Sequence, residues 1–334
     1  MSSVDLPGLH IVAICRADSD AAELDDLRKE VHLTVARTAD EYRAALPGSR
    51  ILFLNDVRSS LVSEVGIGAV EWIHTSGVGV DALLTRDVLD RSPTVTVSRG
   101  VCERPIAEYV LATLLLFLKD LPQTIAHQQQ RQWAHRDTRS LHGRNVIVLG
   151  TGPVGAEIVS LLRAAGVAVE AFARTTRVQT GLGKVHGFDD LAAWLPWADD
   201  VVLALPLNAS TRGVFDSTML NRMRSGGMLV NVGRGPVVDE TALIEAITDG
   251  KISAAVLDVF ATEPLPHDHP FWGMPNVLVS PHMSGDLVGW RSGVVSIFRS
   301  NLLRWVHGQE LAFTVDLESH PVEEEIDAVC HGSA

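Results

Sequence analysis

The sequence predicts an α/β protein made of two doubly wound parallel-sheet domains. Three observations predict it. Short β-rich runs alternate with helical patterns from the start of the chain. The alternation breaks once, at a long apolar helical stripe, and then resumes. A glycine-rich turn joins the first strand of the second series to its first helix. A chain of 334 residues with 46% hydrophobic content can fill two cores.

In the first series strands are expected over 9–14, 31–35, 50–54, 71–74 and 94–97, with helical segments such as 20–29 and 81–89 between them. In 104–133, Ile106, Val110, Leu111, Leu114, Leu115 and Leu118 recur at helical spacing until Pro122 interrupts them. That pattern predicts a long helix, kinked or restarted near Pro122, joining the two lobes. The second series places strands over 145–149, 167–172, 201–205, 228–232, 254–259 and 277–280, and helices over 154–165, 191–197 and 240–249. Six such strands match a complete doubly wound dinucleotide domain. The amphipathic pattern around 290–307 is therefore expected to return to the first lobe, making that lobe discontinuous. The acidic, apolar-poor tail 316–334 is expected to be a loosely held end.

The formal charge of −13, from 28 Lys plus Arg against 41 Asp plus Glu, makes nucleic acid and anionic membrane poor partners. A small anionic substrate stays open, because a buried Arg or a helix N-terminus binds a carboxylate whatever the outer field. Cys15, Cys102 and Cys330 are far apart and odd in number, which suggests neither a disulfide framework nor a metal site. Asp5 and Pro7 stand where a signal peptide needs a basic region, and no run approaches the roughly 20 apolar residues of a membrane span. The expected compartment is the cytoplasm.

Gly150-Thr151-Gly152-Pro153-Val154-Gly155 lies between the strand 145–149 and the helix opening near Val154. In that setting a G-x-G-x-x-G turn is a dinucleotide signature. Gly150 permits the tight turn, Gly152 lets the backbone approach a pyrophosphate, and Gly155 lets the helix sit close to the strand. The free N–H groups and positive end of the helix then face the anion. A carboxylate is expected at the tip of the next strand if a ribose 2′-OH is bound, yet the tip carries Ala173, followed by Arg174, Thr175 and Arg177. Without the acid, and with a guanidinium able to hold a 2′-phosphate, NADP(H) is favoured over NAD(H). Glu170 stands three residues too early and should point elsewhere; if it reached the ribose, NAD would be back in play.

Three residues follow consecutive strand ends of the second series, where open α/β sheets bind ligands. Arg234 lies in Asn231-Val232-Gly233-Arg234-Gly235, Glu263 in Asp258-Val259-Phe260-Ala261-Thr262-Glu263-Pro264, and His282 in Ser280-Pro281-His282-Met283-Ser284-Gly285. Hydride reduction of a ketone needs a proton donor at the oxygen, and histidine titrates in the useful range. His282 suits that task, Glu263 would orient it and favour imidazolium, and Arg234 would bind a substrate carboxylate. Taken singly, each has an ordinary structural alternative: a packed histidine, a helix-capping arginine, a solvated turn.

These motifs, with Thr75-Ser76-Gly77-Val78-Gly79-Val80-Asp81, Ile106-Ala107-Glu108 and Pro206…Thr211-Arg212-Gly213, resemble the D-isomer-specific 2-hydroxyacid dehydrogenase family over nearly the whole chain. The resemblance is to its glyoxylate/hydroxypyruvate reductase-like members. It implies a flavodoxin-like substrate domain of residues 1–103 plus 284–334 and a Rossmann dinucleotide-binding domain of 104–283, with the cleft between them. It also implies Arg234, Glu263 and His282 as the catalytic set, and main-chain N–H groups of Val78 and Gly79 on the substrate carboxylate. Cofactor contacts are implied from the glycine loop, Ala173, Arg174, Thr175, Leu205, Pro206, Val232, Gly233, Asp258, His282, Ser284 and Gly285. Asp258 resembles the residue that meets the nicotinamide amide. A 2-oxo or 2-hydroxy acid as the small-molecule partner, and a homodimer through the cofactor domains, are implied as well.

Cys102 and Glu103 depart from the family pattern, which often has Asn-Ala there, so contacts near the hinge are expected to differ. For Cys102 simple packing is favoured over a nucleophile. Core or interface packing is likewise favoured for Trp133, Trp290, Arg291 and Trp305. Glu263 argues against formate chemistry, whose branch resembles a Gln there, and Val78 against phosphite chemistry, whose branch places a Lys. A cofactor-sensing corepressor shares the fold, but no segment here resembles a partner-docking peptide.

Overall fold

The computed structural model describes residues 8–16, 22, 24–57 and 59–317. Asp5, Pro7, Cys330, the tail beyond 317 and part of the helix expected over 20–29 lie outside them. The chain divides into two compact units, one running to Val101 and resuming at Leu287, the other Cys102–Asp286.

In the first unit, β1 (His10–Ile14), β2 (His32–Ala36), β3 (Ile51–Leu54), β4 (Trp72–Thr75) and β5 (Thr94–Val97) form a parallel sheet in the order β5-β4-β3-β1-β2. That is the flavodoxin-like order. β3 and β4 are buried along their whole length, which is why they read as continuous β-rich runs and not as alternating ones. A short strand, Thr314–Val315, adds antiparallel to the β5 edge. Helix α1 (Ala39–Ala45) opens on a capping box between Thr38 and Glu41, and α2 is Leu61–Val65. The helix expected over 81–89 is a 3₁₀ turn, Asp81–Leu83, followed by α3 (Arg86–Arg91). Thr85 separates them because its extended backbone and hydroxyl start α3 afresh, accepting from the Val88 N–H. Of 20–29, the described residues place Ala22 in α-helix and Leu27–Lys29 in a 3₁₀ turn. The helix Trp290–Val306 packs against this sheet through Val294, Phe298 and Leu302, spaced four apart. Phe298 stacks on Phe53 and Trp72, with ring centroids 4.6 and 5.2 Å apart.

The second unit opens with α4 (Glu103–Leu118) and α5 (Leu121–Gln129), bent by 62° to one another. The helix expected over 104–133, kinked or restarted near Pro122, does restart there, and 132–140 carry neither helix nor strand. Lys119 ends α4, Asp120 turns left-handed at φ 49°, and Pro122 sits in the first turn of α5, where its missing N–H costs nothing. No single helix among the described residues is long and apolar enough to cross a membrane.

The sheet of this unit contains β6 (Asn145–Leu149), β7 (Ala168–Ala173), β8 (Arg177–Gln179), β9 (Gly183–Gly187), β10 (Asp200–Leu203), β11 (Gly227–Asn231), β12 (Ile252–Leu257) and β13 (Val277–Val279). Their order is β13-β12-β11-β10-β6-β7-β9-β8, all parallel except β8. The six expected strands are present, β6 at its expected bounds and the other five with shifted ends. The β8–β9 pair was not foreseen: β9 fills the outer parallel position beside β7, and β8 folds back on it as an antiparallel edge. Between strands run α6 (Pro153–Ala164), α7 (Leu191–Trp194), α8 (Ser217–Arg222) and α9 (Glu240–Thr248). α7 continues as a 3₁₀ turn, Leu195–Trp197, where Pro196 removes a donor. Alternate residues of the central strands feed two cores: Ile147, Leu203 and Leu229 on one face, Val146, Val202 and Val230 on the other. α4 and α6 cover the second face through Val110, Leu114, Ile158 and Leu162.

Candidate active site

β6, β10, β11, β12 and β13 are parallel neighbours, so the loops at their C-terminal ends emerge along one edge of the sheet. The chain leaves β6 for β7 and β9 and then crosses back to β10, which makes the β6/β10 junction the switch point where such sheets bind ligands. Gly150 occupies this junction at φ +104°. A Cβ there would lie 2.2 Å from the Ala204 carbonyl oxygen, and one on Gly155 would lie 1.9 Å from that of Gly150. Only glycine fits either position. Beside Gly152 the space is open. Pro153 and Val154 form the first turn of the twelve-residue helix α6, whose leading N–H groups face out of the helix end. These features fit a dinucleotide diphosphate.

Thr151 is braced from the hairpin. Arg177 Nη2 donates to its hydroxyl at 2.5 Å, and Gln179 Nε2 donates to its carbonyl at 2.8 Å. Ala173 ends β7, and Arg174 beyond it is exposed, with no hydrogen-bond or ion-pair partner among the described residues. Arg177 also reaches the Thr175 carbonyl, at 3.3 Å. Glu170 is turned to β9, where it pairs with His186 Nε2 at 3.0 Å, so it is engaged away from the strand tip. Leu205 and Pro206 follow β10, with the Thr211 hydroxyl donating to the Pro206 carbonyl at 2.6 Å.

The three strand-end motifs are tied together through backbone. After β11, Asn231 accepts from the Gly233 N–H at 3.1 Å and donates to the Arg234 carbonyl at 3.0 Å, which fixes the Val232-Gly233-Arg234 turn. Arg234 Nη1 donates to the Gly233 carbonyl at 2.8 Å. A Cβ on Gly235 would lie 1.9 Å from the Phe260 carbonyl carbon, so the Arg234 loop abuts the Glu263 loop directly. Glu240, on the first turn of α9, accepts from the Ala261 N–H at 2.8 Å and pins that second loop. Glu263 accepts from the Phe260 N–H at 3.1 Å with one oxygen and pairs with His282 Nδ1 at 2.8 Å with the other. A carboxylate only accepts, so Nδ1 carries the proton and Nε2 is left for a ligand. The two side chains are 31% and 22% exposed, open enough to meet one.

His282 adopts φ 54°, a left-handed backbone that a side-chain-bearing residue takes only under constraint. Part of that constraint comes from Asp258, buried at the end of β12. Its carboxylate accepts from the Ser280 hydroxyl at 2.5 Å, the Met283 N–H at 2.9 Å and the Ser284 N–H at 3.0 Å. Gly285 follows, tight against Cys102 Cβ and Ile106. Burial foremost, and the Glu103 charge after it, push the Cys102 thiol up to about 12, leaving a protonated, poorly nucleophilic group at neutral pH. Among the described residues no three His, Cys, Asp or Glu side chains gather as a metal site. In the first unit, Val78 and Gly79 lie half-buried in the loop after β4, where Thr75 donates to the Gly77 carbonyl and Ser76 to that of Asn55. Trp305 packs on Trp72, Arg291 lies over Trp290, and Trp133 is fully exposed.

Gln179, Glu240, Ser280 and Tyr109 bear on the site without having been singled out from sequence. Glu240 had a signal, since Asp239-Glu240 reads as a helix start; the others act through tertiary contacts that spacing does not reveal.

The family model described as D-isomer specific 2-hydroxyacid dehydrogenase, NAD binding domain, matches residues 111–284. Glyoxylate/hydroxypyruvate reductase A of Serratia proteamaculans is 28% identical over 259 residues, 75% of this chain and 81% of that protein. A D-isomer specific 2-hydroxyacid dehydrogenase family protein from Aeromonas salmonicida superposes with TM-score 0.79 at 29% identity, covering 92% of this chain and 99% of that one. The enzyme of the same description from Xanthobacter autotrophicus Py2, solved with NADPH and MES, gives 0.78 at 28%, covering 92% and 98%. The chain belongs to the D-isomer specific 2-hydroxyacid dehydrogenase family. Within it, it is an NAD(P)-dependent dehydrogenase resembling the glyoxylate/hydroxypyruvate reductases.

Proposed function

We propose that this enzyme reduces a small 2-oxo acid of the glyoxylate or hydroxypyruvate type to the D-2-hydroxy acid and prefers NADPH to NADH. The observation that carries the reading is the 2.8 Å His282–Glu263 pair, held beside the Arg234 loop at the ends of three adjacent strands. His282 gives its Nε2 proton to the carbonyl oxygen as charge develops there. Glu263 holds the ring and stabilises its protonated form. Arg234 binds the substrate carboxylate with its planar fork. A reduced nicotinamide supplies the hydride to C2 when bound. The glycine loop and the N-terminus of α6 hold its diphosphate, with Leu205, Pro206, Val232, Gly233, Asp258, Ser284 and Gly285 along the same strand-end edge.

NADPH preference follows from Ala173 in the place of an acid and from the unpartnered Arg174 beside Thr175, with Arg177 adding charge. The NADPH bound by the Xanthobacter relative agrees with it. The subunits pair as a homodimer through α5 and the segment after it: no residue of α5 is buried, and Leu121, Ile125 and Trp133 are 42%, 52% and 101% exposed.

The test is a matrix of NADH and NADPH against glyoxylate, hydroxypyruvate, pyruvate and bulkier 2-oxo acids. The expected result is turnover with the small acids and a higher kcat/KM with NADPH. Failure of every pair, together with cofactor-dependent capture of a protein partner, would overturn the enzymatic reading.

A further inference from the structure

A hydrogen-bond chain, buried at Ser280 and Asp258, runs from α4 to the turn that carries His282. Tyr109 Oη lies 2.7 Å from Ser280 Oγ, and Ser280 Oγ lies 2.5 Å from Asp258 Oδ1. The proton directions follow from chemistry alone. Asp258 accepts two backbone N–H groups as well as the Ser280 hydroxyl, which spends its single proton on Oδ1. Ser280 is then left with lone pairs only, and Tyr109 must be the donor. Burial raises the Tyr109 hydroxyl above its ordinary range, which keeps that proton in place.

The far end of the chain brackets His282 on both sides. Asp258 holds Ser280, two residues before it, and the N–H groups of Met283 and Ser284 after it, while the His282 N–H donates to the Ser280 carbonyl at 3.0 Å. A left-handed, side-chain-bearing residue is strained and persists where its surroundings over-determine it. At His282 that constraint is supplied by one carboxylate gripping both flanks. The carboxylate in turn is oriented by the Ser280 hydroxyl, from the His282 motif itself, and through it by Tyr109 of α4, which lies outside the strand-end motifs.

The geometry points to Tyr109 and Ser280 as positioning residues for His282: through Asp258 they lock the left-handed turn that aims the imidazole at Glu263. This rests on His282 being the proton donor, so the test separates the two. Tyr109→Phe keeps the ring and its packing, and Ser280→Ala removes the central hydroxyl. We expect kcat for 2-oxo acid reduction to fall by about fivefold in the first and about tenfold or more in the second. The KM for the acid should stay within about twofold, because neither side chain is assigned a substrate contact. The double variant should lose no more than Ser280→Ala alone, since Tyr109 acts through Ser280.

The second readout is geometric. The downfield proton resonance of His282 Nδ1–H, identified by its loss in His282→Gln, should broaden or shift in both variants. An unchanged kcat with an unmoved resonance in Ser280→Ala overturns the inference, as do additive losses in the double variant. A fall confined to the melting temperature, with kcat intact, overturns it too. If His282→Gln itself retains turnover, the acid role of His282 fails, while the resonance still decides whether Tyr109 and Ser280 hold the ring.

Discussion

His282 and Glu263 act as one unit in the proposed reaction, so removing the imidazole removes the proton donor and leaves the glycine loop untouched. His282→Ala should lower kcat by roughly the hundredfold or more of a lost general acid, with NADPH affinity nearly unchanged. Steady-state rates with fluorescence titration of NADPH check both halves, and weakened cofactor binding equal to the rate loss would count against the assignment. Arg174 is exposed and without a partner among the described residues, so its proposed work lies with the cofactor alone. Arg174→Ala should raise the KM for NADPH about tenfold or more and leave that for NADH near its starting value, since a charge-assisted bidentate contact is worth about 1.5–3 kcal/mol. Equal effects on the two cofactors would refute the phosphate contact. At this scale Arg234, Glu263 and His282 were legible because each follows a strand at an informative place. Glu170 was read as pointing away from the strand tip, and it is turned toward β9, where it pairs with His186. Tyr109 and Ser280 were not legible: they stand far apart in the chain, and only the fold brings their hydroxyls within 2.7 Å.

Among the elements, strands buried on both faces announced themselves, because Ile51-Leu52-Phe53-Leu54 or Val146-Ile147-Val148-Leu149 has no other stable place. The β8–β9 hairpin hid because Arg177-Val178-Gln179 is an exposed edge that needs no apolar run. The break between α4 and α5 was signalled by Pro122, but the left-handed Asp120 that makes it sharp is invisible in sequence. β4 carries a further consequence. His74 is fully buried there, within 2.7 Å of the Thr96 hydroxyl and 3.1 Å of the Ser98 hydroxyl, and burial brings its pKa down to about 3. The unfolded chain takes up that proton near pH 6.5, whereas the folded chain does not. The stability contributed by a neutral His74 is therefore complete above about pH 6.5 and is lost as the pH falls toward about 3, at up to about 1.4 kcal/mol per pH unit. Urea midpoints at pH 7.5 and pH 5 should differ more for the native chain than for His74→Gln, which keeps a polar group but has nothing to protonate. Equal differences would show that the acid sensitivity lies elsewhere.

For the whole molecule, the sequence signalled a returning segment because six strands left the pattern around 290–307 without a place in the second series, and Phe298 indeed stacks on Phe53 and Trp72. The proposed association of subunits belongs to this scale as well. α5 spans Leu121–Gln129 and buries none of its residues, yet a helix of that length gains too little from propensity alone to persist in water. Arg136 secures its start through Asp120 and Thr124, but Leu121 and Ile125, four apart on one stripe, stay open beside the fully exposed Trp133. A second copy of the same chain can cover that stripe by a self-complementary two-fold contact, which adds no polar burial along an already apolar line. Sedimentation equilibrium should find twice the chain mass for the native protein and a single-chain mass for a Leu121→Glu, Ile125→Glu double variant, because two carboxylates per copy would be driven into the contact without partners. The variant monomer should still bind NADPH, since the glycine loop is built from β6 and α6 and does not draw on α5. A native protein that sediments as a single chain, or a variant that stays paired, would place the contact elsewhere or remove it.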